Sequence, residues 1–160
     1  TATAAATISL AATAPAVLAQ ADPLLTVIGL DGISRPLSEQ DVADFDWHQI
    51  ETHTRWTEGL RRFRGPLLRD VLTANRDTRD ALYDLQLDLF ALNDFSVQIP
   101  ASDAWDYDVI LAREMDGQMM RVRDKGPLWL VYPRDKDPDL QNALIDERWV
   151  WQLARITVLP

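Results

Sequence analysis

The sequence predicts a single α+β domain built from short strands and short helices. Three observations carry this. YDLQLDLFAL, residues 83–92, sets Leu85, Leu87 and Leu89 against Asp84, Gln86 and Asp88, a period of two that reads as a strand with one wet face. GPLLRDVLTANRD, residues 65–77, puts Leu67, Leu68, Val71 and Leu72 on one side of a compact amphipathic helix. The 160 residues are 47% hydrophobic and include six tryptophans, enough apolar material for one core and no more.

Taken in order, the chain opens with TATAAATISLAATAPAVLAQAD, which is rich in Ala and Thr and carries no charge before Asp22. Val17-Leu18-Ala19 and Ala19-Gln20-Ala21 both fit the small-x-small cleavage rule, so residues 1–21 are expected to be a secretory leader and residues 22–160 the domain. An Ala/Thr tail is the other reading. The segment is short, interrupted by Pro15 and poor in Leu and Ile, which argues against a membrane span. LLTVIGLDGISRPLS then places apolar residues on either side of Asp31-Gly32, a hairpin signal. Ser38 with Asp41 three residues later resembles an N-cap and its acidic partner. DWHQIETHTRW alternates as a strand, and Pro66 is expected at a first helical position.

NDFSVQIP reads as the partner strand of YDLQLDLFAL, closed by Pro100 and followed by a Ser102 or Asp103 cap and a short helix. VILAREMDGQMMR turns at Asp116-Gly117, and GPLWLVYP is an apolar run that suits a buried strand. RDKDPDLQNALIDE is a polar loop leading into a short helix. RWVWQLARITVLP closes as a strand, with Ile156 and Val158 alternating against Arg155 and Thr157. No repeat interrupts this order.

Composition removes several functions. The formal net charge of -9 and an acidic pI near 4.6 oppose nucleic-acid and anionic-membrane binding, which need clustered Lys and Arg. With no cysteine there is no disulfide, thiolate metal site or Cys nucleophile. The only histidines, His48 and His53, fall at odd spacing in a predicted strand and so are expected on opposite faces. No Gly-x-Ser-x-Gly elbow, Gly-x-Gly-x-x-Gly or phosphate loop is present. What stands out is an aromatic and basic set: Arg55, Trp56, Arg61, Arg62, Phe63, Arg64, Trp129, Tyr132, Arg134, Arg148, Trp149 and Trp151. Indole and guanidinium together suit a flat, hydrogen-bonding heterocycle. The same residues also read as core tryptophans with a solvated arginine rim.

The pieces TRWTEGLRRFRGPLLRDVL, ALNDFSVQIPASDAW, VILAREMDGQMMRVRDKGPLWLVYP and RWVWQLARITV, colinear from roughly Leu25 to the end, resemble the molybdopterin-binding domain of the sulfite-oxidase superfamily. The resemblance implies a sulfite-oxidase-like fold, a mixed β-sheet with short helices. In catalytic members a cysteine four residues before a tryptophan ligates molybdenum; here that position is Thr52, four before Trp56. Trp129 stands where they carry a basic residue after Gly-Pro-Leu, and their Gly-rich, Lys-containing loop is replaced by the acidic, glycine-free RDKDPDLQNALIDER. The resemblance leaves Arg148 in the place of the loop lysine and Arg134 as a second basic anchor.

These departures turn the expectation from a redox enzyme to the small periplasmic members of the fold that bind a free pterin without metal. Such proteins act as sensors on the periplasmic region of a membrane-bound diguanylate cyclase or phosphodiesterase. The expected contacts are Trp56 for stacking, Thr52 and Thr54 as hydroxyls on the same strand face, and Asn93 and Asp94 at the pterin's amino edge. Arg134, Arg148 and Trp151 are placed on the cleft rim with Tyr132, and Arg55 is expected to point away from the threonines. Two alternatives stay open: a molybdopterin-dependent oxidoreductase holding metal through the pterin dithiolene alone, and an interaction module whose cleft is filled by Trp129 and Trp151.

Overall fold

The computed structural model describes residues 21–160, so the leader expected over residues 1–21 lies, Ala21 apart, outside the described residues. Among these no helix is long and apolar enough to cross a membrane. In chain order the elements are β1 (Leu25–Ile28), β2 (Ser34–Leu37), α1 (Glu39–Ala43), β3 (Trp47–Thr52), β4 (Arg61–Pro66), α2 (Leu68–Thr73), α3 (Arg79–Leu82), β5 (Gln86–Ala91), β6 (Ser96–Pro100), α4 (Asp103–Asp106), β7 (Ile110–Ala112), β8 (Glu114–Met115), β9 (Gln118–Met119), β10 (Trp129–Val131), α5 (Ala143–Asp146) and β11 (Leu153–Leu159).

A five-stranded sheet runs in the order β2-β1-β11-β5-β6. β1 and β11 are parallel and the other neighbours antiparallel, so the sheet is mixed. Its inner face is set by alternation: Leu87, Leu89 and Ala91 of β5 are buried, as are Ile156 and Val158 of β11. The second sheet is antiparallel, β3-β4-β8-β9, and its tip is the predicted Asp116-Gly117 turn, both residues having the positive φ that such two-residue turns require. The β10-β7 pair, buried along its whole length, lies beside it and is tied to the end of β4 by a bridge between Leu67 and Ile110.

Local chemistry accounts for the short helices. α1 carries a full capping box: Asp41 N–H donates to the Ser38 hydroxyl while the Asp41 carboxylate accepts from the Ser38 backbone. α2 buries Leu68, Val71 and Leu72, as its apolar spacing predicts. Pro66 is not its first residue, however. It ends β4, paired with Trp47, because the basic stretch Arg61–Pro66 is a strand with Phe63 buried on one side and arginines exposed on the other.

Gly65 is where β4 and β7 meet backbone to backbone. A Cβ at this position would stand 1.9 Å from the Leu111 carbonyl oxygen. Gly65→Ala is therefore expected to force the two strands apart and to destabilise the protein by about 1–3 kcal/mol, measured as a lower urea midpoint in equilibrium unfolding.

Candidate functional site

The pairing of β3 with β4 stops at Thr52 and Arg61, which leaves residues 53–60 as a loop. This corrects the expected strand over residues 46–56, and with it the shared face of Thr52, Thr54 and Trp56 and the opposed faces of the histidines. Thr52 is wholly buried, its hydroxyl donating to the His53 carbonyl at 3.1 Å and accepting from Asp135 N–H at 3.1 Å. Thr54 turns the chain locally: its hydroxyl accepts from Trp56 N–H at 3.0 Å and meets the Thr57 hydroxyl at 2.7 Å. A threonine hydroxyl competing with the ladder for backbone N–H is the physical reason the alternation ends here.

Loop 53–60 is fastened to the segment after β10. The Asp135 carboxylate accepts from His53 N–H at 3.0 Å and meets its Nδ1 at 2.5 Å. Burial raises the Asp135 carboxyl, but the hydrogen bonds from His53 outweigh that and hold it below its ordinary value.

So anchored, the loop lays Trp56 across an indole cluster. Its ring centroid lies 5.8 Å from Trp149, 5.5 Å from Trp151 and 6.2 Å from Trp129, mostly edge to face. Trp129 is the buried centre of this cluster, packed also on Phe63 at 5.3 Å. Lys125 Nζ sits 4.7 Å from the Trp151 ring centroid, within cation–π range. The indole N–H groups of Trp129 and Trp149 are buried without an acceptor among the described residues, a cost of about 1–3 kcal/mol for each such donor.

Beside Trp56 the fold leaves a cavity of about 500 Å³, within the range of small-molecule sites. Trp56, Trp149 and Trp151 form its aromatic side, Phe95, Ser96 and Val97 its β6 side, and Asn93, Asp146 and Glu147 supply polar groups. Trp129 and Trp151 thus do not fill the cleft: one is core, the other wall.

Asp146 is the charged group built most deeply into this site. α5 places it there: Asn142 caps the helix by accepting from Leu144 and Ile145 N–H, which exposes Leu144 and buries Ile145 and Asp146. The Asp146 side chain is 3% exposed; its Oδ1 accepts from Arg134 Nε at 2.9 Å, and Arg55 Nε stands 3.8 Å from Oδ2.

Of the residues singled out from sequence, the structure therefore brings Trp56, Asn93 and Trp151 to the cavity wall, with Arg55 and Arg134 behind them on Asp146. Arg55, expected on the far face of a strand, lies instead in the loop and reaches toward Asp146. Asp94 does not line the cavity; it takes the left-handed turn position, φ 66°, of the hairpin joining β5 and β6. Tyr132 and Arg148 do not line it either. Tyr132 is fully buried and donates to Asp103 Oδ2 at 2.7 Å, the same oxygen that takes Arg148 Nη1 at 2.6 Å. Burial, then the Asp103 charge, pushes the Tyr132 phenol well above its usual range, so it stays a donor. Burial lowers Arg148, but Asp103 more than offsets this and leaves the guanidinium above its ordinary value.

With that geometry in view, comparison with solved structures finds the sulfane dehydrogenase SoxCD from Paracoccus pantotrophus, at a TM-score of 0.60 and 18% identity over 84% of this chain. The likeness bears out the sulfite-oxidase-like, molybdopterin-binding-like α+β fold expected from the sequence. At that identity it establishes the fold alone. This chain spans 37% of the SoxCD chain it matches. No protein-family model matches the sequence, and neither does any curated protein.

Proposed function

We infer that the protein binds a free pterin, without molybdenum, in the cavity beside Trp56, and acts as an exported, non-catalytic ligand sensor. The cavity itself carries this reading: about 500 Å³ of space walled by three indoles and holding a buried carboxylate. A flat bicyclic ring with an N–H edge matches both features, the π-face against indole and the donors toward the acid.

Thr52 supports the metal-free form. It stands where the resemblance sets the molybdenum-ligating cysteine, yet its oxygen is a hard donor, it is buried, and its hydroxyl is engaged as both donor and acceptor. The donor set does not fit a soft-ligated molybdenum. The resemblance further assigns a periplasmic location and, as partner, the periplasmic region of a membrane-bound enzyme that makes or degrades cyclic di-guanylate.

Calorimetric titration of the purified protein with 7,8-dihydrobiopterin tests the ligand class. Saturable binding in the micromolar range is expected; absence of binding into the high-micromolar range sinks the reading. Metal analysis of protein made in a molybdenum-replete host separates the alternatives, and stoichiometric molybdenum would favour the oxidoreductase.

A further inference from the structure

Resting on the pterin reading, we propose that Asp146 sets the ligand specificity of the cavity: its Oδ2 receives the paired N–H edge of a 2-amino-4-oxo heterocycle and rejects the 2,4-dioxo counterpart. Asp146 lines the cavity and its side chain is 97% buried, as the exposure of 3% requires. Arg134 Nε occupies Oδ1, whereas Oδ2 accepts no hydrogen bond among the described residues, because Arg55 Nε at 3.8 Å is beyond hydrogen-bond reach. This oxygen is not sealed from solvent, so water serves it in the free protein, and a ligand entering the cavity can replace that water with a donor of its own.

The chemistry of that ligand follows. A 2-amino-4-oxo ring presents N3–H and the 2-amino N–H side by side, two donors to one carboxylate. The 2,4-dioxo ring keeps N3–H but turns an oxygen where the amino group was, setting acceptor against anion. A site built to hydrogen-bond a group strongly rejects the analogue that lacks it, since the buried acceptor is then unpaired. Two other carboxylates lie near. Glu147 also lines the cavity but is exposed and lacks the contact by which Arg134 fixes the Asp146 carboxylate; Asp94 sits at the neighbouring hairpin turn and does not line the cavity.

The test is titration with 6-methylpterin and 6-methyllumazine, followed by tryptophan fluorescence, of the wild type and of the D146N, E147Q and D94N variants. The wild type is expected to prefer the pterin by at least about tenfold, the lower bound for a hydrogen bond to a buried charge. D146N is expected to erase the preference by losing pterin affinity while keeping lumazine affinity, and E147Q and D94N are expected to retain it. Equal binding of both rings by the wild type overturns the inference while leaving the heterocycle reading intact; binding of neither overturns that reading itself. Retention of the preference in D146N, or its loss in E147Q or D94N, also overturns the assignment to Asp146. Should D146N fail to fold, the two exposed-residue variants keep the inference falsifiable, because loss of the preference in either one overturns it.

Discussion

Arg148→Met is expected to destabilise the protein by about 3 kcal/mol, the low end of the cost of stranding one member of a buried ion pair, because Arg148 keeps 24% side-chain exposure. Asp103 is 4% exposed and carries Tyr132 and Arg148 on a single oxygen. Removing the guanidinium leaves the largely buried carboxylate with the phenol as its side-chain donor. The double variant Asp103→Asn with Arg148→Met is expected to recover most of the loss, since the unpaired charge is gone. Urea unfolding at neutral pH measures both. The same pair separates two roles for Arg148. If it anchors ligand, the double variant regains stability but binds pterin poorly; if it serves Asp103, as the 2.6 Å bond indicates, affinity stays near that of the wild type.

Trp56→Ala is expected to have the largest effect on binding. Stacking of a ring on an aromatic side chain is worth about 1–3 kcal/mol, so pterin affinity should fall roughly 5- to 150-fold. Trp56 is only half-buried and stands in loop 53–60, outside the sheets, so unfolding should move less than it does for a wholly buried indole. Phenylalanine at the same position is expected to restore most of the affinity by keeping a π-face. Calorimetry on the three proteins reads this directly, and an affinity unchanged in the alanine variant would remove Trp56 from the site.

The sheets were legible where one face is wet and one dry. β5 shows its period of two because its polar residues face outward while Leu87, Leu89 and Ala91 pack inward, and the Asp116-Gly117 turn shows because positive φ selects those residues. α1 was legible from Ser38 and Asp41 since its cap is local. Loop 53–60 was not. Thr52, Thr54 and Trp56 alternate like a strand, and only the end of pairing at Arg61, with Gly59 at φ 68°, shows that the ladder has stopped. β4 was equally hidden, because arginines cover its exposed side.

The site divides the same way. Trp56 and Trp151 were legible as residue types that stack. Asp146 was not, because what distinguishes it from the other acids of its segment is burial and contact with Arg134 at the start of that segment and with Arg55 from the distant loop 53–60. Asp94 and Arg148 show the converse: each has a residue type suited to a pterin edge, but Asp94 is an exposed turn residue off the cavity wall and Arg148 is engaged on a buried acid.

A crystal structure of the protein soaked with 7,8-dihydrobiopterin tests the central claim most directly. The account predicts a bicyclic ring against Trp56, its amino edge toward Asp146, and no metal bound to it. A ring bound elsewhere, or a molybdenum centre next to Thr52, would contradict it.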